Sequence, residues 1–171
     1  AALFLSWGCA YLFPHRAGYG DSAGTPLSVA VTAPRGTAEH DTQMAERLTE
    51  ENRDVLSTLA FAASRDDIDE TRIVAMGSSL GIHPLMALAA DTRWKCGLDF
   101  SGGASQWAKH PRIKAAILTA AETLTQPVFL IQPANDFNTA PTEDIGALLA
   151  ARDHPFESRI FPPWGTDGAE A

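Results

Sequence analysis

Five short apolar runs recur along the chain with room for a helix between most of them: Cys9–Phe13, Arg72–Met76, Cys96–Phe100, Val128–Gln132 and Glu157–Phe161. Their length and their aromatic and β-branched content predict strands. Between them lie stretches with helical periodicity. Met44, Leu48, Val55, Leu56 and Leu59 place one apolar face along Ala38–Ser64, behind Thr37 as the capping residue. Leu80–Ala90, Ile113–Leu124 and Thr142–Ala151 are predicted as further helices. Arg16–Gly24 is rich in glycine, and Thr25–Gly36 carries Pro26 and Pro34, so both read as loops. The opening residues read as a helix end that runs through Gly8 into the first strand.

Apolar strands alternating with helices imply a parallel sheet buried on both sides, because each crossover lays a helix over a strand pair. The expected class is therefore doubly wound α/β, with a mostly parallel sheet and helices on both faces. With 171 residues, 45% of them hydrophobic and 20% charged, the chain suits one core, and no linker or repeat divides it. Residues 1–171 are expected to form a single domain truncated at both ends, since the chain opens inside a helix.

The net charge of -8 and the scattered Lys and Arg residues offer no footprint for phosphate backbones or anionic lipid. Neither nucleic acid nor a membrane is expected as a partner. Cys9 and Cys96 each fall in a run that reads as a buried strand, without Cys-x-x-Cys spacing, and are expected to be small core residues. The apolar opening has no basic segment before it and does not read as a secretory leader, so a cytoplasmic location is the default.

Chemistry enters at Gly77-Ser78-Ser79-Leu80-Gly81, a Gly-x-Ser-x-Gly pattern between a predicted strand and a predicted helix. An abrupt strand-to-helix turn strains the backbone of its central residue, and glycines two positions away on each side make room for it. Ser79 would then project from the C-terminal edge of the sheet as a nucleophile. The Leu80 backbone N–H, at the helix N-terminus, would donate to the developing oxyanion. Two strands later Asp136 follows Val128–Gln132 into a polar loop at the same edge. There it would accept a histidine N–H and stabilise the imidazolium formed when Ser79 loses its proton. Asp99, within a strand, is a weaker rival for that role. Trp107, Phe137 and Trp164 fall in loops at the same edge, where they could wall a pocket or pack as core.

Taken in order, Arg16-Ala17-Gly18-Tyr19-Gly20-Asp21-Ser22, the turn at Ser79, Phe100-Ser101-Gly102-Gly103-Ala104, the Asp136 loop and Ile160-Phe161-Pro162-Pro163-Trp164-Gly165 resemble the dienelactone-hydrolase-like branch of the α/β-hydrolases. The resemblance spans essentially the whole chain and implies an incomplete α/β-hydrolase fold. It also implies departures. Dienelactone hydrolases carry a cysteine where this chain has Ser79. The family histidine lies shortly after a segment like Phe161–Glu170, whereas this chain ends at Ala171. None of His15, His40, His83, His110 and His154 matches that position. A loop supplying the second oxyanion donor is placed by the family before residue 1. The chain by itself is therefore expected to be nearly inactive.

Other classes fit less well. Gly18, Gly20 and Gly24 approximate a dinucleotide fingerprint, but the spacing is one residue too long and no helix can begin at Thr25–Gly36 to receive a pyrophosphate. There is no His-x-x-x-His pair to suggest metal-assisted hydrolysis. A non-catalytic relative acting as a binding protein, and a serine peptidase of the prolyl-oligopeptidase type, remain as alternatives. The expected function of the complete protein is hydrolysis of a small-molecule carboxylic ester through an acyl-enzyme on Ser79, with no cofactor.

Overall fold

The computed structural model of the chain describes residues 2–80, 83–163 and 165, with the main chain alone at residue 83. In chain order the helices are α1 (Ala2–Ser6), α2 (Leu27–Ala30), α3 (Ala38–Ala63), α4 (His83–Ala90), α5 (Pro111–Thr123) and α6 (Ala140–Ala151). The strands are β1 (Ala75–Ser78), β2 (Gly97–Phe100), β3 (Val128–Pro133) and β4 (Phe156–Phe161). They form one parallel sheet in the order β1-β2-β3-β4, each strand beside its sequence neighbour.

Register divides the strand residues cleanly between two faces. Ala75, Gly97, Val128 and Phe156 stand in one row, and Gly77, Asp99, Leu130 and Ser158 share their face. On that face Ala75, Val128 and Leu130 join Leu85 and Leu88 of α4, Ile113 and Ile117 of α5, and Ile145 and Leu149 of α6 in one core. Two glycines let the layers close. A Cβ on Gly97 would press on Leu88 at 3.1 Å, and one on Gly146 would meet the Phe156 ring at 3.4 Å. The opposite face, with Met76, Leu98, Phe129 and Ile131, is half-buried or exposed. Among the described residues, α3 to α6 thus form one helical layer on one face of the sheet. The parallel α/β class stands, in an incomplete form.

The Thr37 cap is formed, its hydroxyl accepting the His40 N–H at 3.1 Å. The predicted strand at Cys9–Phe13 is not: the segment is irregular. A strand needs a ladder partner, and β1 pairs with β2 alone among the described strands. The aromatic residues of the segment stack on one another instead, Tyr11 on Phe4 at 5.4 Å and on Phe13 at 6.4 Å between ring centroids. Cys9 is consequently exposed rather than buried, and Cys96 lies half-buried just ahead of β2. Both are free thiols, and desolvation raises the Cys96 thiol above its ordinary range.

Candidate active site

β1 ends at Ser78, and Ser79 turns the chain with φ 60°, a left-handed conformation that side chains rarely adopt. The turn is gripped from β2. The Ser79 N–H donates to the Phe100 carbonyl at 2.9 Å, and the Ser79 carbonyl accepts the Gly103 N–H at 2.9 Å. Ser101 repeats the device one strand over, with φ 56° and its N–H on the Ile131 carbonyl at 2.8 Å. Ser79 is solvent-exposed at the C-terminal edge of the sheet, where the strand-turn-helix reading put it. Leu80 follows it half-buried, its side chain against the core, and α4 begins at His83. Gly81, the last residue of the motif, lies outside the described residues.

Asp136 occupies the loop beyond β3, half-buried. One carboxylate oxygen, Oδ1, accepts the Phe137 N–H at 2.7 Å, and the other, Oδ2, accepts the Gln132 side-chain amide at 2.8 Å. Gln132 is 0% exposed, although it lies in an otherwise apolar strand. Its Nε2 also donates to the Asn138 carbonyl at 2.8 Å, and its Oε1 accepts the Thr142 hydroxyl at 2.6 Å. β1 and β3 flank β2, so the strand ends that carry Ser79 and Asp136 are roughly two strand spacings, ~10 Å, apart. They share an edge without touching.

Asp99 is not placed as an orienting acid. It faces the helical layer from the middle of β2, is 4% exposed, and its Oδ1 has no hydrogen-bond partner. Burial pushes its carboxyl up to about 7. Its carboxylate lies against the Gly102 backbone, filling the space a side chain there would need.

The histidines are engaged elsewhere. His154 Nε2 sits 2.9 Å from the Gln126 carbonyl, at the opposite end of β3 from Asp136. His110 Nδ1 lies 3.4 Å from Asp41 Oδ1, and its ring packs on His40 at 5.3 Å. The His15 ring packs edge-on against Phe13 and closes over Gly20. The His83 side chain lies outside the described residues, as do Trp164 and most of the chain beyond it. No histidine contacts Ser79 or Asp136 among the described residues.

Of the aromatics at this edge, Trp107 is core: 4% exposed, it donates its indole N–H to Asp144 at 2.9 Å, under the Lys114 ammonium. Phe137 is 85% exposed and is not core. Sequence reasoning did not single out Gln132. A lone polar residue at an inward strand position, four before a candidate acid, was the available signal.

No protein-family model and no curated protein matches the chain. Solved structures do. Acylaminoacyl peptidase from Pyrococcus horikoshii is similar at TM-score 0.59 and 17% identity, over 75% of this chain and 26% of that one. A puromycin-hydrolyzing peptidase from Mycobacterium tuberculosis aligns at TM-score 0.56 and 18% identity, over 73% and 23% of the two chains. Dipeptidyl peptidase 4 from Porphyromonas gingivalis aligns at TM-score 0.60 and 17% identity, over 74% and 22%. The chain spans about a quarter of the length of these structures. No described helix is long and apolar enough to cross a membrane. With its parallel strand order and a left-handed serine between strand and helix, the chain has an incomplete α/β-hydrolase fold.

Proposed function

We propose that this chain carries the nucleophile and the acid of a serine hydrolase. The observation that carries the reading is Ser79, exposed at φ 60° between β1 and α4 and held there by two backbone bonds to the chain leaving β2. A non-glycine residue in that conformation is costly, and such strain is characteristic of a displayed nucleophile.

In the proposed reaction Ser79 Oγ attacks a carbonyl carbon, its proton passes to a histidine, and the alcohol leaves with that proton. Water then attacks the acyl-enzyme under the same base. The Leu80 N–H stabilises both oxyanions, and Asp136 orients the histidine. The histidine reaches the site from outside the described residues. We propose a small carboxylic ester as substrate and, on the motif order alone, the dienelactone-hydrolase-like branch. The similar structures favour a second reading, cleavage of a peptide bond, because their names are those of peptidases.

The test uses the complete product of the reading frame that encodes this chain. A fluorophosphonate should label Ser79, located by peptide mass spectrometry, and Ser79→Ala should abolish both labelling and hydrolysis of short-chain nitrophenyl esters. Faster turnover of peptide anilides than of esters would move the assignment to the peptidase reading. An unlabelled Ser79 would favour the non-catalytic binding protein.

A further inference from the structure

Asp136 is held by a side chain that the proposed reaction does not yet use. Gln132 is fully enclosed, and both ends of its amide are committed. The nitrogen donates to Asp136 Oδ2 and to the Asn138 carbonyl, both at 2.8 Å, while the oxygen accepts the Thr142 hydroxyl at 2.6 Å. The amide can stand only this way round. Turned over, its oxygen would face a carboxylate and a carbonyl, two acceptors with no proton between them.

The three bonds run in series from one element to the next. Thr142 lies in the first turn of α6 and is buried, Gln132 is near the end of β3, and Asp136 and Asn138 are in the loop that joins them. A rigid helix and a central strand thereby fix the loop from behind. Phe137 N–H takes Oδ1 from the other side, so the carboxylate is restrained through both oxygens. An acid that must orient an imidazole needs this restraint, since it works through the direction of one hydrogen bond.

We propose that Gln132 is the positioning residue for Asp136, its amide fixing the carboxylate in the orientation that receives the histidine N–H, with Thr142 locking the amide. The proposal rests on the serine-hydrolase reading of Ser79 and Asp136. Gln132 touches neither substrate nor histidine and acts through Asp136 alone. Buried between a strand and a helix, it cannot be exchanged for a water without opening the core.

The test measures the rate of fluorophosphonate labelling at Ser79 in the complete gene product, with thermal midpoints alongside. Gln132→Leu keeps the volume and removes both donors. It should slow labelling by about 10- to 100-fold at saturating reagent, with little change in the half-saturating concentration. Gln132→Glu sets a second carboxylate against Asp136. It should label slowly at pH 8 and approach the wild-type rate as the pH falls and the introduced carboxyl gains a proton to donate. Thr142→Val, which leaves Asp136 and Gln132 in place, should give a smaller loss in the same direction and serves if Gln132→Leu does not fold.

Rates equal to wild type in Gln132→Leu and Gln132→Glu at every pH would overturn the proposal. So would a loss in Gln132→Glu that does not recover relative to wild type as the pH falls, together with losses in the other variants that simply follow the thermal midpoint, since those mark a merely structural role. If wild-type Ser79 itself is not labelled, the hydrolase reading fails, and the positioning role falls with it by a different result.

Discussion

Gly103 donates its backbone N–H to the carbonyl of Ser79 at 2.9 Å, while the Ser79 N–H reaches back to Phe100 at the same distance. The chain leaving β2 therefore clasps the serine on both sides of its Cα. It holds a φ of 60° that the isolated peptide would abandon. Strand pairing, carried one residue past the last residue of β1, is what displays the side chain.

That clasp has a measurable cost. Ser79→Ala and Ser79→Gly both delete the hydroxyl, but only glycine accepts a left-handed backbone freely. Ser79→Gly should be more stable than Ser79→Ala by about 1 kcal/mol in urea unfolding. Equal stability, or alanine above glycine, would show that Ser79 is not strained in solution.

Gly102 is required for a different reason, the nearness of Asp99. A methyl group at residue 102 would overlap the Asp99 carboxylate, which is itself enclosed between the sheet and the helical layer. Gly102→Ala should cost about 1–3 kcal/mol, as overpacked cores do. Most of that cost should vanish when the same change is made in Asp99→Ala, where the methyl finds space. A double-mutant cycle of urea midpoints reads this coupling directly, and additive losses would contradict it.

Helices α3 to α6 and the inner strands were legible in the sequence because they need only their own periodicity and a neighbour two elements away. By contrast α2, a single turn behind Pro26, lies in Thr25–Gly36, which reads as a loop because one turn is too short to show a period. Met44, Leu48 and Leu59 of α3 all reach the core, as their spacing required. Cys9–Phe13 failed because a strand is defined by a partner, and composition alone does not state whether one exists. Ser79 and Asp136 were placed at one edge by strand order, a property of topology. Gln132 was hidden for the opposite reason, as was the enclosed setting of Asp99, which the sequence offered only as a rival acid. What makes them matter is burial of a polar group beside a turn, which only the packed fold supplies and which leaves no periodic trace.

Arg47 ties the glycine-rich loop to α3. Its guanidinium donates to the carbonyls of Ala17 at 3.1 Å and Thr25 at 3.0 Å, and to Glu51 one helical turn away at 3.1 Å. The three bonds leave from two nitrogens of a rigid planar fork, a span that the compact ammonium of a lysine does not cover. Arg47→Met keeps the buried stem and removes the donors, so amide hydrogen exchange across residues 17–25 should quicken by tenfold or more while α5 and α6 remain protected. Arg47→Lys should behave nearly like Arg47→Met. Unchanged exchange in the loop would mean that its own turns hold it.

Asp99 gives the fold an unusual dependence on pH. Its carboxyl is raised by burial from the ordinary 3.8 to about 7, so the folded chain keeps a proton that the unfolded chain releases. The contribution of this group is fully present below pH 3.8 and is lost as the pH rises towards and through 7. The loss approaches about 1.4 kcal/mol per pH unit within that window and totals up to about 4 kcal/mol. Asp91 and Asp144 act in the reverse direction, held below the ordinary range by their bonds to Arg93 and Lys114, and their contributions disappear only on acidification through the low carboxylate range. The two effects therefore occupy separate windows. Urea midpoints of the wild type should fall between pH 4 and pH 7, and Asp99→Asn, which is uncharged throughout, should flatten that slope. A wild-type slope that survives Asp99→Asn would place the titrating group elsewhere.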